Sequence, residues 1–561
     1  MIFLKFFVQN RFILLLVFFA LNAAYLFAVA PPNPDVYDVG FRLKSDKSFK
    51  TQSKLKKVPK LTRRKITAHN LQLTGSAKPV VILIEFQDTT HSASNTTTFF
   101  QNLVFANSGL SMNTYYKENS GNVFSIVNAD AASNPSAWVK SGSNMSRYGN
   151  PEGQNQDASD IWLLALEAVQ LADSQIDFSK YANANDEVDY FIVVHAGAAE
   201  ESSESESDIW SHAWEIAGGY TTDDDGASGK VRVKNYIMLS EYSPLGIFCH
   251  EFGHALGLPD FYNTDTGEST VWTWDLMDFG SWLDWGTRPS HLSAWNKLKL
   301  GWGNVATLTD DGVLDISPNE DMLTSNNNFV KLPILGSAKE YFLLEYRRKS
   351  TDYLFDRGLY NEGVLIWHID DNVNDLLLID NEINNLNIKG VDLVEADDIG
   401  SLSTQVDDVW LKGSVFTVPR SNSNQNVPSG INVDIVDIIS TGSNPRAILT
   451  FKLLAFRNEV LIKTIYSFPN PTRGASTIRS ILTKPAADGY LKIFNIAGEE
   501  VYAKDIGYEN FVVGDSKDYE SHYIFQWDGK NHSGNDVASG VYIYILKADE
   551  VIKKGKICVV R

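Results

Sequence analysis

Apolar residues follow two rhythms along this chain. Up to about residue 303, uninterrupted apolar runs alternate with stretches of helical spacing. "PVVILIEFQD" holds one such run, Val80 to Phe86, and "VDYFIVVHAG" holds another; runs of this length predict strands buried on both faces. "MNTYYKENSGNVFSI" predicts a short helix, a turn at Ser120-Gly121 and a strand. In "DASDIWLLALEAVQLADSQ" the apolar residues recur at helical spacing behind an Asp/Ser cap, which predicts a helix from about 158 to 174. "VKNYIMLSE" predicts a strand leading into "SPLGIFCHEFGHALG", a helix of about three turns. Ser243 is its expected N-cap, Pro244 its first residue, and Gly257 lies just past its end. A further helix is expected in "SHLSAWNKLKLGW" (291–302), and the acidic run "EESSESESD" is expected to be an exposed loop.

Beyond Gly303 the rhythm changes to short alternating strands such as "EYFLLEYRRK", "GVLIWHID" and "RAILTFKLL", continuing to about residue 455. From Leu461 the pattern is again all strand, and no fixed-period repeat is present. The chain of 561 residues is too long for one core. The expected division is 1–30 signal peptide, 31–76 basic segment, 77–303 α/β unit, 304–456 β-rich unit and 457–561 C-terminal β unit.

Charge and composition sharpen this outline. A net charge of −20 argues against nucleic acid, since phosphate contacts need clustered Lys and Arg. The two cysteines, Cys249 and Cys558, are expected to be free, so disulfides are not the stabilising device. Lys5 and Arg11 precede an uncharged run ending in small residues, the pattern of an export signal cut between Ala23 and Ala30; a retained anchor is the alternative. Arg42 to Lys65 holds eleven basic residues and one acidic one, Asp46. It reads either as a pro-segment lying on the acidic unit that follows, released near Arg63-Arg64-Lys65, or as a solvated linker.

The candidate chemistry lies in "HEFGHALGLPD", residues 250–260. His250 and His254 are four apart on the expected helix, so both imidazoles leave one face and can share a metal ion. Glu251 cannot ligate that ion, but it can reach a water on it and act as general base. Gly257 allows a turn that brings Asp260 back as third ligand, and three protein ligands plus a water make an open zinc site.

The motif resembles the metzincin signature, with Asp260 replacing a third histidine. That resemblance implies a methionine turn beneath the metal, for which "WDLMDFG" offers Met277. Some metzincins carry a transition-state Tyr two residues later; Phe279 stands there, leaving Tyr262 and His291 as candidate donors. With "VHAGAAE", "DIWSHAW", "LSAWNKLKLGW" and "YFLLEYR", the stretch from about 78 to 450 is similar to the immune inhibitor A type of secreted bacterial zinc metallopeptidase. The resemblance implies a metzincin-like α/β fold and an endopeptidase with one catalytic zinc on His250, His254 and Asp260. It also implies a calcium site at an aspartate-rich loop, of which Asp186, Glu187 and Asp189 remain.

"YSFPNPTRG", "LKIFNIAGEEV", "WDGKN" and "ASGVYIYIL" resemble C-terminal sorting domains of type IX secretion. That implies an immunoglobulin-like β-sandwich, an outer-membrane secretion machinery as partner, and a Gram-negative source. His195, His212, His291 and His368 lack ligand spacing and are expected to be structural. The working expectation is a secreted zinc metalloendopeptidase acting on extracellular proteins or peptides. The alternatives are a surface adhesin with a peptidase-like fold and a zinc hydrolase acting on something other than protein. Oligomeric state is not legible.

Overall fold

The computed structural model describes residues 28–31, 73–149, 162–205, 207–322, 327–334, 337, 339–398, 402–426, 428–453, 462–482, 486, 488–506, 511–512, 522–549 and 551–561. Of the apolar run Phe12 to Ala30, residues 12–27 lie outside the described residues, as does the basic stretch Arg42–Lys65.

The first sheet is built from β1 (Ala28–Val29), β2 (Val80–Glu85), β3 (Val139–Lys140), β4 (Glu187–Val188), β5 (Phe191–His195), β6 (His212–Asp225) and β7 (Lys230–Ser240). Its order is β1-β6-β7-β5-β2-β3, with β4 also paired to β7. β3, β2, β5 and β7 run parallel, whereas β6 is antiparallel to β7 and β1 antiparallel to β6. The apolar runs follow from this position, because both faces of the parallel strands are covered. Val81, Leu83, Ile192 and Leu239 face one core, while Val80, Ile82, Val193 and Met238 face another.

The helices at 112–119, 163–172, 245–255 and 294–299 fall close to where the spacing put them, and those at 97–105, 200–203 and 371–377 stand where none was expected. α1 spans Thr97–Phe105, α2 Met112–Asn119, α3 Leu163–Ala172, α4 Glu200–Ser203, α5 Leu245–Ala255, α6 Ala294–Lys299 and α7 Asp371–Leu377. α3 covers one face of the first sheet and α5, which carries the histidine motif, packs on the other. Ser293 caps α6 by accepting from the Asn296 amide.

Two local expectations are corrected. Pro244, not Ser243, takes the N-cap position of α5 and offers no side-chain bond. The Ser243 hydroxyl instead accepts from the Ser240 amide, closing the tight turn between β7 and α5. The acidic run is not wholly an exposed loop, since Glu200–Ser203 form α4 and Glu201 is buried. Its carboxylate accepts from the Ser211 amide at 3.0 Å and the Ser211 hydroxyl at 2.6 Å. A partner ten residues away is invisible to a reading of local charge.

Past residue 303 a five-stranded sheet of order 305–307, 329–333, 340–347, 363–370, 391–393 lies between two cores. Leu343, Leu365 and Trp367 point into the core that contains α5, and Phe342, Leu344 and Ile366 point away from it. The side chains pointing away pack on a four-stranded sheet made of 312–316, 446–453, 431–439 and 415–416. The core behind the motif helix is therefore completed by residues on both sides of residue 303. The C-terminal region is two four-stranded sheets around a core of its own. The whole is multidomain and β-rich.

Candidate active site

α5 is buried from Leu245 to His254. Two glycines make that depth possible. A Cβ on Gly246 would lie 1.8 Å from the Ser281 carbonyl oxygen, and one on Gly253 would lie 2.7 Å from Met277 Sδ. Met277 thus passes directly beneath the helix between its two histidines. Past the helix Gly257 adopts φ +92°, which a side chain would resist, and the chain turns back.

That turn places Asp260 against the imidazoles. His250 Nε2 lies 3.1 Å and His254 Nε2 3.2 Å from Asp260 Oδ1, and the two Nε2 atoms are 3.2 Å apart. Ligands about 2.0–2.1 Å from a tetrahedral zinc stand about 3.3 Å from one another, so the three atoms fit such an ion. Each Nδ1 is already engaged, His250 with the Leu276 carbonyl at 3.0 Å and His254 with the Leu258 carbonyl at 2.8 Å. Donation to those carbonyls leaves each Nε2 lone pair free for a metal. Asp260 Oδ1 is buried without a hydrogen-bond donor among the described residues. Three buried acceptors converging with no proton between them are a donor set that a cation would satisfy.

Glu251 is buried beside this triangle, and neither of its oxygens has a partner among the described residues. Burial, with the Asp260 and Glu201 carboxylates nearby, holds its carboxyl well above the ordinary range. Burial likewise raises Glu201 to about 6, against the pull of its Ser211 bonds.

The other expected residues take different places. Tyr262 is buried, and burial, with the Asp260 and Glu251 carboxylates nearby, holds its hydroxyl well above the ordinary range. His291 Nε2 bonds Glu118 at 2.8 Å and its Nδ1 lies 3.1 Å from Lys297 Nζ, which ties it into a buried polar network and not to the triangle. Phe279 is fully buried. His195 and His212 are buried and bonded to main-chain carbonyls, and burial lowers each to about 4. His368 bonds Glu340.

The expected calcium ligands do not converge. Asp186 accepts from the Ala227 and Ser228 amides and Asp189 from Asn183, so these carboxylates are spent on loop bonds. Among the described residues, only the triad and Asp173-Asp223-Asp224 bring three ligand atoms together.

One residue that sequence reasoning missed touches the site. Asn381 accepts from the Asp260 amide at 2.7 Å and donates to Asp260 Oδ2 at 2.6 Å.

Two histidines four apart on a helix, a carboxylate between them and a third carboxylate oxygen facing both imidazoles form a donor set of the kind that metallopeptidases use. Residues 73–303 match the family model described as the Immune inhibitor A peptidase M6 catalytic domain. The chain is 29% identical over 237 residues to the Pre-pro-metalloprotease PrtV of Vibrio cholerae, covering 35% of this chain and 25% of that protein. It is 26% identical over 230 residues to Immune inhibitor A of Bacillus thuringiensis, covering 34% of this chain and 32% of that protein. The chain thus spans a third or less of the length of the curated relatives it matches. Among solved structures, OgpA from Akkermansia muciniphila aligns with 89% of this chain at 10% identity and a TM-score of 0.21. That score is too low to bear on the fold.

Proposed function

We propose that this chain is a secreted zinc metalloendopeptidase that hydrolyses peptide bonds of extracellular proteins. The observation that carries the reading is the buried Glu251 carboxylate, without a partner among the described residues, beside a triangle of candidate ligand atoms with 3.1–3.2 Å edges. The M6 match over residues 73–303 supports it.

His250, His254 and Asp260 would hold the zinc. When bound, the zinc supplies a Lewis acid that polarises the scissile carbonyl and acidifies a water. Glu251 takes the proton of the attacking water and passes it to the leaving amine nitrogen. Met277 packs against the helix at Gly253, next to His254, and so supports the face that carries the imidazoles. The Leu276 and Leu258 carbonyls fix the tautomers by accepting from Nδ1. An adhesin would have no use for an acid–base group buried without a partner, which disfavours that alternative.

The finer architecture belongs to the same reading. Residues 77–303 form a metzincin-like α/β peptidase domain, 304–456 a β-rich domain, and 457–561 an immunoglobulin-like sandwich that directs type IX secretion in a Gram-negative bacterium. The N-terminus is an export signal cut between Ala23 and Ala28, which leaves β1 in the first sheet, and 31–76 is a basic pro-segment or linker.

Glu251→Gln tests the mechanism. It is expected to retain zinc and to lose casein turnover by about 10²–10⁴-fold, the usual worth of a positioned acid–base group. A Gln variant with full turnover would remove Glu251 from the reaction.

A further inference from the structure

The third ligand is held from outside the M6 segment. After α7 the chain makes a 3₁₀ turn, Leu378–Asp380, and reaches Asn381 in the left-handed conformation with φ 56°. Asparagine tolerates that region better than most residues with a side chain. The conformation presents the carboxamide edge-on to Asp260. Its oxygen accepts from the Asp260 main-chain amide, and its nitrogen donates to Asp260 Oδ2. Only one orientation of the amide satisfies both, so the side chain reads the backbone and the carboxylate of the same residue. With Oδ2 engaged, Oδ1 is the oxygen left facing the two imidazoles.

The neighbours of Asn381 repeat the device. Asn385 Oδ1 accepts from the Thr264 amide at 2.9 Å, and Asn384 Nδ2 donates to the Phe261 carbonyl at 2.9 Å. Three carboxamides of one segment therefore serve the stretch 260–264, which has left the helix and has no strand partner of its own. Asn384 is in turn tied to Val391 in the five-stranded sheet, through Val391 N–H at 3.1 Å and Val391 O at 2.8 Å. The clamp is thus anchored in the β-rich region.

We infer that Asn381 is a positioning residue that fixes Asp260 as a one-oxygen metal ligand, so that residues 381–385 set the metal affinity of the site. This rests on the reading of Asp260 as a ligand. Partners that orient ligating groups are worth about 10–100-fold in metal affinity, and the M6 segment alone would lack this one.

Asn381→Gly removes the carboxamide and keeps a residue at ease in the left-handed region. Zinc affinity of the full chain, measured by chelator competition, is compared for the parent, Asp260→Ala and Asn381→Gly, beside the absorption spectrum of the Co²⁺-loaded forms. Melting of the EDTA-treated proteins reports folding, and Asn381→Asp, of the same shape, serves if the glycine variant does not fold. The expected result is a loss of about 10–100-fold in affinity and an altered Co²⁺ spectrum for Asn381→Gly, with a larger loss for Asp260→Ala. Parent-like affinity and spectrum in a folded Asn381 variant, while Asp260→Ala is weakened, would overturn the clamp and leave the site standing. A parent that binds no zinc, or equal binding in Asp260→Ala, would overturn the ligand reading and the clamp together.

Discussion

The motif helix and the C-terminal pair of sheets are both well packed, yet they are built on opposite terms. Every residue from Leu245 to His254 is buried, two histidines and a glutamate among them. In the C-terminal sheets, Ser476–Leu482 and Gly489–Phe494 alternate buried with half-buried residues. Their core is Ile478, Leu491, Ile493, Phe525, Trp527 and similar side chains. The sheets obey the plain rule of one dry face and one wet face. The helix breaks it by burying ionisable groups along one element. A fold tolerates this only if those groups find partners, and the partners missing around Glu251 and Asp260 Oδ1 are what a cation and a water would provide.

The contrast can be broken most forcefully at glycines. Gly246→Ala would drive a Cβ into the Ser281 carbonyl, and it is expected to cost on the order of 3 kcal/mol, read as a lower melting temperature. Gly474 in the C-terminal region has open space where its Cβ would lie, so Gly474→Ala is expected to change stability by no more than about 0.5 kcal/mol. Equal losses at the two positions would show that the helix is not set against its neighbours as tightly as described.

Acid provides a subtler probe. His212 has a folded pKa of about 4 against an ordinary value of 6.5, so the unfolded chain takes up the proton first as pH falls. Its contribution to stability is complete above pH 6.5 and is lost on acidification towards pH 4. The size is on the order of 3 kcal/mol. His212→Gln, which cannot take up that proton, should lose less stability than the parent between pH 6.5 and 4 in denaturant titrations. Parallel pH curves for the two would contradict the burial ascribed to this histidine.

What the sequence made legible was local. "GVLIWHID" became the strand Gly363–Asp370, and the candidate ligands lie within eleven residues, so helix period and one glycine turn suffice to bring His250, His254 and Asp260 together. Non-local bonds were out of reach. Asn381 is 121 residues from Asp260, and no periodicity connects them. Its signal, an asparagine-rich "NEINNLN" between strands, resembles any polar loop. Glu201 was hidden for a related reason, since its run reads as solvated charge until Ser211 closes on it. Asp186 and Asp189 show the converse, acidic residues whose bonds are consumed by their own loop.

The most direct test counts zinc in the purified chain by mass spectrometry and follows casein cleavage with and without 1,10-phenanthroline on the same sample. The account predicts one zinc per chain, cleavage that stops with the chelator, and recovery when zinc is restored. Cleavage that continues after the metal is removed, or a chain that holds no zinc at the triad, would contradict it.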